Sequence, residues 1–188
     1  MNKLFLSGLA LFLFGLYLAF IYHSTIWYSF FVIGGFIMFE GINRRYSFSV
    51  LRNKKVFLID WFIFVLITVA VELIGNFWLR LWYYPGYSAV SYLINVIVIG
   101  YAFTGFFGLE FFTFVRRRIK SKTAKFIILP ITALLFGYIN EYPNTFAYEW
   151  VYENWPLGEL FRIPILVSVL WIALLTVLLF GKPFDKRN

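Results

Sequence analysis

Three polar side chains with complementary chemistry lie at helical spacing near the end of a long apolar stretch: Glu72, Asn76 and Arg80. Residues four apart lie on one face of a helix, so we expect a single polar stripe. An ionisable group in hydrocarbon costs several kcal/mol and is kept for a partner or a function. We therefore predict that Glu72 is a catalytic acid or base and that Asn76 and Arg80 contact a ligand. The alternative is that Asn76 and Arg80 satisfy Glu72 and only lock helices together.

A second carboxylate, Glu141, ends another apolar stretch and follows Asn140 directly. Helical rise is about 1.5 Å per residue. Counted from the basic residues Lys55 and Lys125, Glu72 and Glu141 both lie roughly 25 Å across the membrane. The two carboxylates are therefore predicted to share a depth in the outer third of the bilayer. We predict that Glu141 is catalytic and that Asn140 binds a ligand.

The segment 143–159 follows this second carboxylate and is rich in acids and aromatic rings. Glu149 and Glu153 lie one helical turn apart, which predicts a short helix at the membrane interface, anchored by Trp and Tyr. Glu149 and Arg162 are predicted to contact a ligand, with Arg162 suited to an anionic group. Together with the aromatic turn 82–88, this segment is expected to form a lid over Glu72.

Three further acids lie near clusters of basic residues at the other end of the apolar stretches: Glu40, Asp60 and Glu110. One interpretation is interfacial pairing with neighbouring basic side chains, namely Arg44, Arg45, Lys55 and Arg116, which would fix the helix ends. The other interpretation is a site for a cation, a proton or a lipid headgroup at the inner boundary.

The composition indicates a lipid environment. Of the 188 residues, 62% are hydrophobic and 14% are charged, whereas soluble domains are about a quarter charged. The chain has no cysteine and one histidine, which excludes thiol catalysis, disulfides, Cys-ligated zinc, iron–sulfur clusters and multi-histidine di-iron sites. No metal site is predicted and the cofactor stays unknown, although Mg²⁺ on the carboxylates is an open alternative without a spacing signature.

Six stretches are long and apolar enough to cross a bilayer, given that a span needs about 20 residues. The predicted fold is therefore an all-α membrane protein with six transmembrane helices, and residues 1–188 form a single polytopic domain. The spans cover about 4–22, 26–42, 56–82, 89–115, 126–142 and 160–180. The first is interpreted as a retained helix and not as a cleaved signal peptide, because no small-residue cleavage pattern follows it.

The basic residues predict the orientation. Fifteen of the 17 Lys and Arg residues fall before the first span, between the second and third, between the fourth and fifth, or after the sixth. The last group consists of Lys182, Lys186 and Arg187. The positive-inside rule makes this side cytoplasmic, so both termini are predicted inside, in the cell membrane. The net charge of +8 is accordingly assigned to topology and to contact with membrane lipids, and no nucleic-acid partner is predicted.

A weak internal similarity joins two of these spans. Gly35-Phe36 followed by Glu40 matches Gly105-Phe106 followed by Glu110, 70 residues later. Parallel duplicated hairpins would produce such a match, and so would chance in a composition this biased.

Three functions fit the sequence, and the choice between them stays open. The first is a membrane enzyme that modifies a lipid or isoprenoid, with a hydrophobic small molecule as substrate. In broad character the chain resembles the small aromatic-rich cyclases of carotenoid synthesis, although it lacks their Pro-x-Glu-Glu signature. The second is a small-molecule binding or transport subunit, similar in size and topology to the substrate-binding subunits of energy-coupling-factor transporters. The third is a structural or accessory membrane protein. Oligomeric state is not predicted.

Overall fold

The computed structural model describes residues 2–180, so the basic cluster Lys182, Lys186 and Arg187 lies outside the described residues. These described residues form eight α-helices, and short strands follow or precede four of them along the chain. The helices are α1 (Lys3–Phe20), α2 (Trp27–Asn43), α3 (Lys54–Glu72), α4 (Ala89–Tyr92), α5 (Tyr101–Arg118), α6 (Lys122–Glu141), α7 (Asn144–Ala147) and α8 (Ile165–Phe180).

Four continuous helical segments are long and apolar enough to cross a membrane: Lys3–Phe20, Lys54–Trp78, Ala89–Arg118 and Thr123–Ala147. They confirm a predominantly helical protein with several candidate membrane spans. The second and sixth predicted spans correspond to α2, of 17 residues, and α8, of 16 residues.

The outward faces of these helices carry apolar side chains. On α3, Leu58 is 58% exposed and Phe62 is 56% exposed, and on α6 Phe126 is 74% exposed and Leu135 is 57% exposed. Water would penalise so many exposed large apolar side chains, whereas acyl chains accept them. The exposed pattern therefore supports a lipid environment independently of helix length.

Helix α2 lies at the centre of the bundle, and its buried side chains are mostly aromatic. Trp27 and Phe31 are fully buried, and Phe36 stacks among the rings of α5, with its ring centroid 5.4 Å from that of Phe106. Phe107 meets Phe136 of α6 at 4.8 Å in an edge-to-face arrangement. Ring pairs in these arrangements stabilise a protein by more than the area that they bury accounts for. Aromatic contacts therefore join α2, α5 and α6 in one core.

Helices α1 and α2 approach each other closely at glycines. A Cβ atom on Gly8 would overlap the backbone of Met38, and one on Gly34 would overlap the backbone of Phe12. Gly15 meets the backbone of Phe31 in the same way. Small residues let helix backbones come together in membranes, where packing and not the hydrophobic effect drives association.

Two long helices change from α-helical to π-helical winding along their length. Helix α3 continues as a π-helix over Leu73–Trp78, and α4 joins α5 through a second π-helix over Leu93–Gly100. π-helical turns are rare and often occur at functional sites, because the extra residue per turn re-aims the side chains that follow. The third predicted span therefore ends at 78, four residues earlier than expected.

The connection between α6 and α8 is not the interfacial helix that the spacing of Glu149 and Glu153 predicted. Helix α7 has only four residues, and the chain then forms the short strands β2 (Val151–Tyr152), β3 (Glu159–Leu160) and β4 (Ile163–Pro164). Strand β2 pairs with β1 (Trp82–Tyr83), and β3 pairs with β4, both antiparallel. Because β3 and β4 occupy residues 159–164, the last helix begins at Ile165 and not at 160.

Candidate functional site

Glu72 lies at the last turn of α3, where it is 1% exposed and surrounded by hydrogen-bond donors. Its Oε1 accepts from the Tyr84 hydroxyl at 2.9 Å, and its Oε2 accepts from the Tyr92 hydroxyl at 2.8 Å and the Asn76 amide at 3.1 Å. The Trp82 indole N–H reaches both oxygens at 3.2 and 3.3 Å. Turn 82–88 thus folds back over Glu72, whereas Trp150 and Tyr152, from the other part of the predicted lid, bind Glu141.

Of the two predicted partners on the polar stripe, Asn76 binds Glu72 and Arg80 does not lie beside it. The π-helical turn shifts the register after Glu72, and the helical segment ends at Trp78. Arg80 follows with a left-handed φ of 53°, is exposed, and offers its carbonyl to the Asn154 side-chain amide at 3.0 Å. The single helical stripe is therefore interrupted, and the Arg80 side chain faces outward.

Glu141 occupies the corresponding place at the end of α6 and is 6% exposed. Its Oε2 accepts from the Tyr152 hydroxyl at 2.7 Å and from the Trp150 indole at 3.2 Å. Its Oε1 accepts from the Trp171 indole of α8 at 2.9 Å. Residues from α6, β2 and α8 therefore converge on one carboxylate.

The two carboxylate centres share a sequence pattern that sequence reasoning missed. Glu72 is followed after nine residues by Trp82-x-Tyr84, and Glu141 is followed after eight residues by Trp150-x-Tyr152. In both centres the glutamate accepts from both aromatic residues of its own pattern. The signal was present in the sequence, but aromatic residues are so frequent in this chain that the match did not stand out.

Strand pairing joins the two centres. In the β1–β2 ladder Trp82 is the register partner of Tyr152. Side chains of register partners lie on the same face of a two-stranded ladder, about 5 Å apart at Cβ. A donor of Glu72 therefore lies beside a donor of Glu141.

The donors in the described chain to both carboxylates are neutral indoles, phenols and an amide. A carboxylate offers about four acceptor positions. Four donors bind Glu72, whereas three donors among residues 2–180 bind Glu141. A buried carboxylate without a cation partner is expensive, so this arrangement is suited to proton exchange or to stabilising a positive charge on a bound molecule.

Asn140 is fully buried next to Glu141 but points to a different network. Its amide donates to the Phe136 carbonyl at 2.8 Å, and its Oδ1 accepts from the Tyr28 hydroxyl at 2.9 Å. That hydroxyl also lies 2.8 Å from the hydroxyl of Thr104. Asn140 thus ties α6 to α2 and α5 and supports the position of Glu141.

Glu149 is 1% exposed in the segment after α7. Its Oε2 accepts from the backbone N–H of Tyr28 at 3.3 Å, and its Oε1 lies 2.5 Å from the Tyr87 hydroxyl. Burial raises the pKa of Glu149 to about 8, although the hydrogen bonds from Tyr87 and Tyr28 act in the opposite direction. Arg162 is exposed, with a left-handed φ of 65°, at the turn between β3 and β4.

Glu40 of α2 and Glu110 of α5, two of the acids that the sequence places near basic clusters, lie close together and share one backbone donor. The Val50 N–H lies 2.9 Å from an oxygen of Glu40 and 3.2 Å from an oxygen of Glu110. Glu40 also pairs with Arg44 at 2.7 Å, as expected, whereas Glu110 accepts from Asn43 at 2.6 Å. This pair closes the inner end of α2 against α5.

No family model, curated protein sequence or solved structure matches this chain. Within residues 2–180, no group of three or more His, Asp or Glu side chains is placed to hold a metal ion.

Proposed function

We propose that this chain is a six-span enzyme of the cell membrane that moves protons on the hydrocarbon chain of a lipid or isoprenoid. Both termini lie in the cytoplasm in this proposal, because fifteen of 17 basic residues fall on that side. The two carboxylate centres then lie toward the outer face. The observation that supports the activity best is the pair of buried glutamates, Glu72 and Glu141, each enclosed by neutral aromatic donors.

The chemistry is an acid–base isomerisation or cyclisation. A carboxylic acid gives its proton to one carbon of a C=C bond, and the neighbouring carbon becomes cationic. Aromatic faces and a carboxylate stabilise that cation, and loss of a proton from an adjacent carbon to a carboxylate restores neutrality. No electron enters or leaves, so the step needs no redox partner.

The geometry supports different roles for the two carboxylates. Glu141 accepts from three described donors, fewer than Glu72, so it is assigned the proton transfer. Glu72 accepts from a full set of donors, so it is assigned electrostatic stabilisation of the cation. Trp82 and Tyr152, side by side in the strand pair, would present aromatic surface between them.

The test measures deuterium transfer from D₂O into an acyclic polyisoprenoid in proteoliposomes. Wild-type protein should incorporate deuterium, and Glu141→Gln should lower the rate by about 10²-fold or more, the usual contribution of a general acid. Glu153→Gln is the matched control, because Glu153 is an exposed carboxylate that directly follows β2, the strand that contributes Tyr152 to the Glu141 centre. Equal rates for wild type and Glu141→Gln would reject the proposal and favour the packing role or the binding-subunit role.

A further inference from the structure

Residues 143–156 are here called the outer cap, and one of the contacts that hold this cap to the rest of the protein is a chain of three oxygen atoms. The Tyr87 hydroxyl lies 2.6 Å from the Thr25 carbonyl oxygen and 2.5 Å from Oε1 of Glu149. Thr25 precedes α2, Tyr87 precedes α4, and Glu149 belongs to the outer cap. Three parts of the outer side therefore meet at one hydroxyl group.

Counting protons decides how these atoms bond. A phenol carries one hydrogen, and a carbonyl oxygen can only accept. If Glu149 were ionised, the Tyr87 hydrogen would serve one of its two neighbours, and the other pair of oxygens would face each other without a hydrogen at about 2.5 Å. If Glu149 is protonated, its hydroxyl donates to Tyr87 and Tyr87 donates to Thr25, and both contacts are good hydrogen bonds.

The other oxygen of Glu149 agrees with the protonated form. Oε2 accepts from the backbone N–H of Tyr28 in the first turn of α2, a helix whose N-cap residue, Ile26, provides no side-chain hydrogen bond. A protonated carboxyl group uses its carbonyl oxygen for this bond and its hydroxyl for Tyr87. All its hydrogen-bonding atoms are then satisfied.

We infer that Glu149 is a proton-binding site whose carboxylic acid form clasps the outer cap onto the turn between α1 and α2, and whose deprotonation releases the cap. The clasp controls access from the outside to Glu141, because Trp150 and Tyr152 of the same cap cover that residue. The inference does not depend on which reaction the carboxylates perform.

The groups that face Glu149 from each neighbouring element are compatible with this behaviour. Tyr28 comes from α2, and Tyr87 comes from the β1–α4 connection with Tyr84 stacked on it at 5.8 Å. Burial, and then Glu149 itself, raise the pKa of Tyr87, so this phenol keeps its proton while Glu149 titrates. Glu141, from α6, also interacts electrostatically with Tyr28. These facing groups are acidic or neutral, so none of them stabilises an ionised Glu149 as a cation would.

A second contact holds the same cap to the turn between α1 and α2. The ring Nδ1 of His23 lies 2.9 Å from the Phe146 carbonyl oxygen. A carbonyl oxygen only accepts, so the ring donates this bond through its Nδ1–H.

The absence of cysteine from the sequence allows a direct test by thiol labelling. Ala147 is 3% exposed in the cap, so Ala147→Cys should react only when the cap opens. Glu153→Cys is the exposed reference thiol, and its labelling rate corrects for the effect of pH on thiol ionisation. With Glu149 present, the ratio of the two labelling rates should rise about tenfold per pH unit up to about pH 8 and then level off. With Glu149→Gln, which donates to Tyr87 at every pH, the ratio should stay constant within about twofold. A constant ratio with Glu149 present, or the same rise with Glu149→Gln, would overturn the inference.

Infrared spectroscopy of the unlabelled protein tests the same point if Glu149→Gln does not fold. Wild-type protein should show a carboxylic acid C=O band that disappears on titration through about pH 8. Tyr87→Phe, which removes the hydrogen-bond acceptor of that acid, should shift this band. Absence of the band, or a band that Tyr87→Phe leaves unchanged, would overturn the inference.

Discussion

Trp82 and Tyr152 are register partners in the β1–β2 ladder, and they donate hydrogen bonds to different glutamates, Trp82 to Glu72 and Tyr152 to Glu141. A ladder of two residue pairs is too short to be stable alone. The carboxylates at either side hold it in place, and in return the ladder fixes the aromatic donors above them. The strand pair therefore links the two buried carboxyl groups through their aromatic donors.

We predict that Trp82→Phe and Trp150→Phe destabilise the protein to a similar extent. Each removes one N–H donor from a buried carboxylate, a bond worth about 1.5–3 kcal/mol. Trp155→Phe is the matched control, because its indole donates to the neutral Leu81 carbonyl at 2.7 Å, a bond worth about 0.5–1.5 kcal/mol. Thermal unfolding in detergent measures all three, and a loss in Trp155→Phe as large as in the other two would contradict the prediction.

We predict that Gly8→Ala separates α1 from α2. A Cβ atom at this position would overlap the Met38 backbone, so the helices must move apart, at a cost of about 1–3 kcal/mol or more. Ser7→Ala, at the exposed neighbouring position, should leave the unfolding temperature unchanged. If Gly8→Ala unfolds at the same temperature as Ser7→Ala, the described contact between these helices is wrong.

The protonation of Glu149 predicts how stability depends on pH. Its pKa is raised from 4.5 to about 8 in the folded protein, so the folded state binds a proton that the unfolded state releases between these values. The contribution to stability is therefore complete below about pH 4.5, falls as the pH rises, and is lost above about pH 8. Thermal unfolding of wild type and Glu149→Gln over this range should diverge with rising pH, wild type losing more. Parallel curves would contradict it.

The proposed topology predicts which thiols are accessible from outside intact cells. Glu153→Cys on the outer cap should react with a membrane-impermeant maleimide, whereas Tyr46→Cys, exposed between α2 and α3, should react only after the cells are lysed. Both side chains are exposed, so a difference between them reports the side of the membrane. Labelling of Tyr46→Cys in intact cells would contradict the six-span arrangement.

The helices could be read from the sequence because a lipid-facing helix needs an apolar run whose length the bilayer fixes. The end of α3 could not be placed so well, since the π-helical turn after Glu72 depends on packing and re-aims everything that follows, including Arg80. The outer cap was predicted as a helix from the spacing of Glu149 and Glu153. In the structure, pairing with β1 overrides that local preference.

The two glutamates at the centre of the site were found from the sequence, because a carboxylate within an apolar run is costly and therefore conspicuous. Their partners were not found, apart from Asn76. The donors are tryptophans and tyrosines, which the sequence analysis assigned to the membrane interface as anchors. Trp171 lies 30 positions after Glu141 in the sequence, so its hydrogen bond to Glu141 can be identified only from the packing of α8 against α6.

We claim that Glu72 and Glu141 form a site for a hydrophobic molecule, and native mass spectrometry of the purified protein would detect that molecule. Wild type, Glu72→Gln, Glu141→Gln and the exposed control Glu153→Gln would be compared for a co-purified small molecule. The claim predicts a defined lipid or isoprenoid on wild type and on Glu153→Gln that is reduced or absent on the other two, while all four proteins stay folded. Protein without a ligand in all four samples, with Glu72→Gln and Glu141→Gln only less stable, would contradict it and assign the carboxylates to helix packing.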